Sequence, residues 1–174
     1  MAEALHNPQS KRTALAAFFI TWACAATAHP AAMQAFADHC FSPYLTAEKA
    51  REAIAPSGAR VDFYDLRPFS SAAPSPVIGR AATPATDRRC EVAFDGQAPA
   101  LAAEWIRKGI AQEGLAGRLV SVPDTFPIYE GTTFKAAAQL NPNRIAVVQA
   151  GLRQGPNGIE TFMNVERLTP LDGS

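Results

Sequence analysis

Few residues of this chain have types and spacings that bear on chemistry. They are Cys40 and Cys90, His29 and His39, the carboxylates Asp62 and Asp65 around Tyr64, and the arginines Arg80, Arg88 and Arg89. In an oxidising compartment Cys40 and Cys90 pair most simply as a disulfide, the alternative being two buried free thiols. There is no Cys-x-x-Cys, so thioredoxin-like redox chemistry has no support. A histidine-based hydrolase must use His29 or His39, and a bridged Cys40 beside His39 is no nucleophile. No Gly-x-Ser-x-Gly occurs either. If His29 were the first residue of a processed chain, its amine and imidazole would suit Cu(II), with His39 the one further imidazole. Pro30 removes an amide nitrogen from that site. Asp62 and Tyr64 share one face of a strand and Asp65 takes the other, so the two carboxylates do not converge. Asp172 lies near the end of the chain, and zinc and calcium spacings are absent. Arg80, Arg88 and Arg89 bracket the end of a long loop, where guanidinium forks can clamp a carboxylate or phosphate. No catalytic residue, cofactor-binding residue or metal ligand is assigned, and no cofactor is expected.

The elements that must position these residues follow from periodicity. Pro30–His39 reads as a short helix, broken at Cys40-Phe41-Ser42-Pro43. Thr46 is a good N-cap for a helix over Ala47–Ile54, and Pro56-Ser57-Gly58 stops it. Arg60–Asp65 alternates as a strand. Pro68–Thr86 is a long connection rich in Ala, Ser and Pro, of a length that is often functional. Arg88–Asp95 alternates, with Cys90, Val92 and Phe94 facing inward. Pro99–Glu113 is the longest helix, with Leu101, Ala102, Trp105, Ile106, Gly109 and Ile110 on its apolar stripe. Leu119–Val122 reads as a short strand, 123–133 as irregular and Phe134–Leu140 as a short helix. Arg144–Arg153 is apolar on both faces, as a central strand is. A Gly-Pro-Asn-Gly turn joins it to Ile159–Leu168 in a C-terminal hairpin. The expected fold is α+β: an antiparallel sheet of four to five strands with helices packed on one face and one disulfide.

The N-terminus carries its own signal. Lys11 and Arg12 precede an apolar run over 13–25, and Ala26-Thr27-Ala28 supplies small residues before His29. These are the three parts of a secretory signal peptide, with cleavage expected after Ala28. The apolar stretch is short for a membrane-spanning helix, which needs roughly 20 residues; a retained anchor is the alternative. Lipidation at Cys24 is disfavoured by bulky Trp22. Cleavage removes Cys24, Glu3, Lys11 and Arg12 and leaves 146 of the 174 residues with a net charge of −1. That is one domain's length, and its charge offers no attraction to nucleic acid or to an anionic membrane.

Two stretches, FADHCFSPYLTAEKA at Phe36–Ala50 and TDRRCEVAF at Thr86–Phe94, resemble small exported proteobacterial proteins of unknown function. The resemblance implies export and a disulfide and transfers no catalytic residue. Apolar residues on the two irregular stretches, Phe69, Val77 and Ile78 in the first and Phe126, Ile128 and Tyr129 in the second, are candidates for a partner surface. The expected function is that of a periplasmic or secreted interaction or accessory protein acting on another envelope protein or complex. Small-molecule or metal binding is the alternative, and a histidine-independent hydrolase comes third.

Overall fold

The computed structural model describes residues 25–67 and 75–169. Helix α1 (Ala25–Ala35) continues into a π-helical turn, Phe36–Cys40. Helix α2 (Ala47–Ile54) begins where the Thr46 hydroxyl accepts from Lys49 N at 3.3 Å. Then come β1 (Arg60–Asp65), β2 (Ser75–Ile78), β3 (Thr86–Asp95) and α3 (Pro99–Gln112). The chain ends in β4 (Leu119–Val120), β5 (Thr132–Asn141), β6 (Arg144–Gly155) and β7 (Gly158–Leu168). All strand pairs are antiparallel, in the order β2-β1-β3-β7-β6-β5-β4.

All three helices pack on one face of this sheet. Met33, Phe36, Ile54, Ala102 and Ile106 meet Phe63, Val92, Val148, Met163 and Val165 in a single apolar core. Close approach of α3 depends on Gly109, because a Cβ there would overlap the Phe41 ring. The Cys40–Cys90 disulfide, with Cα atoms 5.3 Å apart, bolts the π-turn to β3 inside this core. The inward orientation expected of Cys90 is the observed one, and a disulfide is compatible with an oxidising compartment.

The α+β class, the antiparallel sheet, the C-terminal hairpin and the disulfide are as expected, but the sheet has seven strands rather than four or five. Two differences account for this. The Pro68–Thr86 connection contains an edge strand, β2, held to β1 through Phe63↔Ile78 and Asp65↔Ser75; Pro76 within it hid the strand, since proline suits only an edge. Phe134–Leu140 is not a helix but most of β5. Its Lys-Ala-Ala-Ala-Gln core favours helix locally, yet pairing with β6 along nearly its whole length overrides that preference. In α3 the stripe is shifted: Leu101 is 40 % exposed while Ala103 is buried. The expected leader, residues 1–28, lies almost wholly outside the described residues, and α1 runs across the Ala28–His29 bond. Among the described residues no helix is long and apolar enough to cross a membrane.

Candidate functional site

Strand alternation puts a second set of side chains on the face away from the helices. These are Asp62 and Tyr64 from β1, Arg89 and Glu91 from β3, Gln149 and Arg153 from β6, and Glu160, Asn164 and Glu166 from β7. Nearly all are buried, because residues 79–85, after β2, and 123–131, before β5, lie over them. Arg89 Nη1 and Nη2 donate to the carbonyls of Ala81 and Arg80 at 3.0 and 2.6 Å. Tyr129 N donates to Gln149 Oε1 at 2.9 Å, and Phe126 packs against Ala137 and Val147. Gly131 and Gly151 touch backbone to backbone, with Leu152 N on Gly131 O at 3.0 Å, leaving no room for a side chain at either glycine.

The charges on this face form one alternating chain. Asp62 Oδ1 accepts from Arg89 Nε and Nη2 at 2.9 and 2.7 Å, and its Oδ2 accepts from Arg80 N and Nε, both at 3.0 Å. Arg80 reaches on to Glu91. Arg153 pairs with Glu91 at 2.7 Å and with Glu160 at 2.5 Å. Arg60 closes the series on Glu160 and Asp95 at 2.5 and 2.7 Å. Burial pushes the Glu91 carboxyl up, against the pull of Arg153 and Arg80. Each guanidinium of the series is committed to a carboxylate, so the chain fixes the geometry of this face.

Beside it lies a hydroxyl nest around Glu166, which is fully buried. Tyr129 donates its hydroxyl to this carboxylate, Asn164 Nδ2 donates at 2.8 Å, and Thr86 Oγ1 donates at 3.3 Å. Thr86 and Tyr64 share a hydrogen bond of 2.5 Å, and Tyr64 accepts from Thr83 N at 3.0 Å. Burial first, and the Glu166 charge second, push the Tyr129 phenol up to about 12. Burial likewise raises Tyr64. Both phenols are therefore neutral donors at physiological pH. Thr83 Oγ1 lies 3.2 Å from Tyr129 Oη, and the Arg80 guanidinium stacks 4.8 Å over the Tyr129 ring. The two irregular stretches, far apart in sequence, meet at this point.

A third group gathers on the helix side of the sheet, at the end nearest the π-turn. The carbonyls of Phe41, Ser42 and Pro43 each accept from a different arginine: Arg167 at 2.5 Å, Arg88 at 2.5 Å and Arg67 at 3.0 Å. These carbonyls have left the preceding helix without intrahelical donors, and cations suit that position. Arg67 also grips Asp65 through Nε and Nη2 at 2.8 and 2.6 Å. Burial works to raise Asp65, but Arg67 outweighs it and holds the carboxyl below its usual range. Arg144 pairs with Asp87 at 2.6 Å; burial there dominates and raises Asp87.

The residues singled out in the sequence are thus dispersed. Arg80 and Arg89 share Asp62 on the loop-covered face, whereas Arg88 points to the helix side, so the three do not form one clamp. Asp62 and Asp65 are on opposite faces, as alternation required. Val77 and Ile128 are 41 % and 40 % exposed, Phe126 is buried in the small cluster and Ile78 packs against the main core. Phe69 lies outside the described residues. His29 stacks on Phe94 with ring centroids 5.0 Å apart. His39, ten residues and about 15 Å further along the helical path, lines an open groove of about 470 Å³ with Tyr44, Lys49 and Glu52. The two imidazoles are not brought together, and among the described residues no group of three or more His, Cys, Asp or Glu is placed to hold a metal. The polar layer was missed in sequence. Its signal was present: Arg89 and Glu91, Gln149 and Arg153, and Asn164 and Glu166 put polar side chains two or four residues apart on three neighbouring strands.

Comparison with protein-family models, with curated proteins and with solved structures finds no match to this chain.

Proposed function

We propose that this protein is an exported accessory protein of the cell envelope that binds a protein partner through the two stretches closing the polar face of its sheet. One observation carries this. Residues 80–83 and the segment around Tyr129 are locked to the sheet and to each other by Asp62, Arg89, Glu166 and Tyr129, while Val77, Ile128 and the 43 %-exposed side chain of Arg80 remain turned to solvent. Loops fixed in advance lose little entropy on binding, and apolar side chains on an ordered, polar-rimmed surface are what a partner's core contacts use. The leader-like segment and the disulfide support export to the periplasm or beyond.

The test is purification from the native envelope with a C-terminal tag, comparing the parent with Ile128→Asp. A stoichiometric partner retained by the parent and lost from a folded Ile128→Asp protein is the expected result. A partner-free monomer, or a partner indifferent to Ile128→Asp and Val77→Asp, rejects this surface. The groove beside His39 favours small-molecule binding as a second reading. A ligand whose affinity falls on Lys49→Ala and Tyr44→Ala would support it.

A further inference from the structure

The tip of the β6–β7 hairpin is Gly155-Pro156-Asn157-Gly158. Asn157 is exposed, and the glycine after it has a φ of 117° with open space where a Cβ would stand. An asparagine before glycine carries its own electrophile and nucleophile. The backbone nitrogen of the next residue can attack the side-chain carbonyl carbon, and glycine has no Cβ to hinder the approach. The other asparagines among the described residues lack this arrangement. Asn141 precedes Pro142, which has no N–H, and Asn143 precedes Arg144. Asn164 precedes Val165 and is buried within β7.

Asn157 also holds a position. Its Nδ2 donates to Asp95 Oδ2 at 3.0 Å, beside the Arg60–Asp95 and Arg60–Glu160 pairs that end the ionic chain. This donor first, and Arg60 second, keep the Asp95 carboxyl below its usual range. Asp95 itself precedes a glycine, but two features protect that bond. An ionised carboxylate is a poor electrophile, and Gly96 N is committed to Ile159 O at 2.9 Å. A hairpin tip opens at far lower cost than the sheet it closes, so Asn157 reaches reactive geometry without global unfolding.

We infer that Asn157-Gly158 is a self-modification site, at which the folded protein deamidates and replaces a donor to Asp95 with a carboxylate. Gly158 N forms a bond to Asn157 Cγ as its proton leaves. The Cγ–Nδ2 bond breaks, releasing ammonia and leaving a cyclic imide. Water then adds to either imide carbonyl and opens the ring. The product is aspartate or, where the main chain now runs through the former side chain, isoaspartate. No oxidant or enzyme is required. Either product sets a new negative charge against Asp95, where like charges repel. Isoaspartate also adds a backbone carbon inside the tight turn that pairs Gly155 with Gly158 and so disturbs the register it sets.

The test holds the folded protein at mildly alkaline pH, which speeds loss of the amide proton, and maps its peptides by mass at intervals. The peptide containing Asn157 should gain one mass unit and resolve into aspartate and isoaspartate forms, with Asp95 unchanged. Hydroxylamine, which cuts imides, should cleave the chain after Asn157. Asn157→Gln, whose ring closure is less favourable, should lose the mass gain. Asn157→Asp should melt below the parent, by an amount that shrinks in high salt. A parent that stays intact while its chain unfolded in guanidinium converts would overturn the site. So would an equal mass gain in Asn157→Gln, or conversion centred on another asparagine. Equal melting of Asn157→Asp and the parent would overturn the effect on the turn.

Discussion

The hydroxyl of Tyr129 donates to the buried carboxylate of Glu166, and this bond ties the second covering stretch to the last strand of the sheet. Its strength depends on Tyr129 keeping its proton. Because the folded phenol releases it only near 12, while an unfolded tyrosine does so near 10, the folded state binds the extra proton between these values. The stability it contributes is whole below pH 10 and is lost as pH rises through 12. Spectrophotometric titration should show a late phenolate step that Tyr129→Phe removes. The same substitution should cost about 1–3 kcal/mol near neutrality, since Glu166 loses a donor that water cannot readily replace.

Asp62 is the hub between β1 and the stretch after β2. Removing its carboxylate leaves Arg89, 1 % exposed, without a counter-charge. Asp62→Ala should lower unfolding free energy by about 3–5 kcal/mol, read from denaturant melts. Pairing it with Arg89→Met should recover part of that loss, because the stranded charge goes too. A strictly additive double mutant would show that the two do not act as a pair.

Reducing the Cys40–Cys90 bridge, or replacing both residues by serine, frees a segment of 50 residues in the unfolded chain. Loop-closure entropy sets the expected loss at about 4 kcal/mol. Calorimetry of oxidised and reduced protein measures it. Thiol labelling of the oxidised, denatured protein should find neither Cys40 nor Cys90 reactive.

Much of the scaffold was legible because local pattern and tertiary demand agreed. The Thr46 cap, the Arg60–Asp65 and Arg88–Asp95 alternations and the β6–β7 turn each state their structure within a few residues. Agreement fails where partners lie far off. The alanines of β5 prefer helix until β6 pairs with them, and β2 is short, edge-placed and interrupted by Pro76. Asp62 and Arg89 were visible as a strand carboxylate and a strand arginine. That they meet, and that Arg80 comes back to the same carboxylate, depends on the fold of the chain between them. Arg88 and Arg167, separated by most of the domain, face each other only because β3 and β7 are neighbours.

Gly109 offers the sharpest test of how the helix layer is assembled. It lies inside α3, where alanine would normally stabilise by about 1 kcal/mol through helix propensity. Here a Cβ would overlap the Phe41 ring, and Phe41 cannot swing away freely. It is buried, it meets Phe36 edge-on with centroids 5.6 Å apart, and its own carbonyl is held by Arg167. Overpacking of this kind costs about 1–3 kcal/mol and should outweigh the propensity gain. Gly109→Ala is therefore expected to lower the melting temperature, and Phe41→Leu in the same chain to restore part of the loss by opening space for the new methyl. If Gly109→Ala instead raised stability to the full extent of its helix propensity, α3 would not be pressed onto the disulfide-bearing turn at this point.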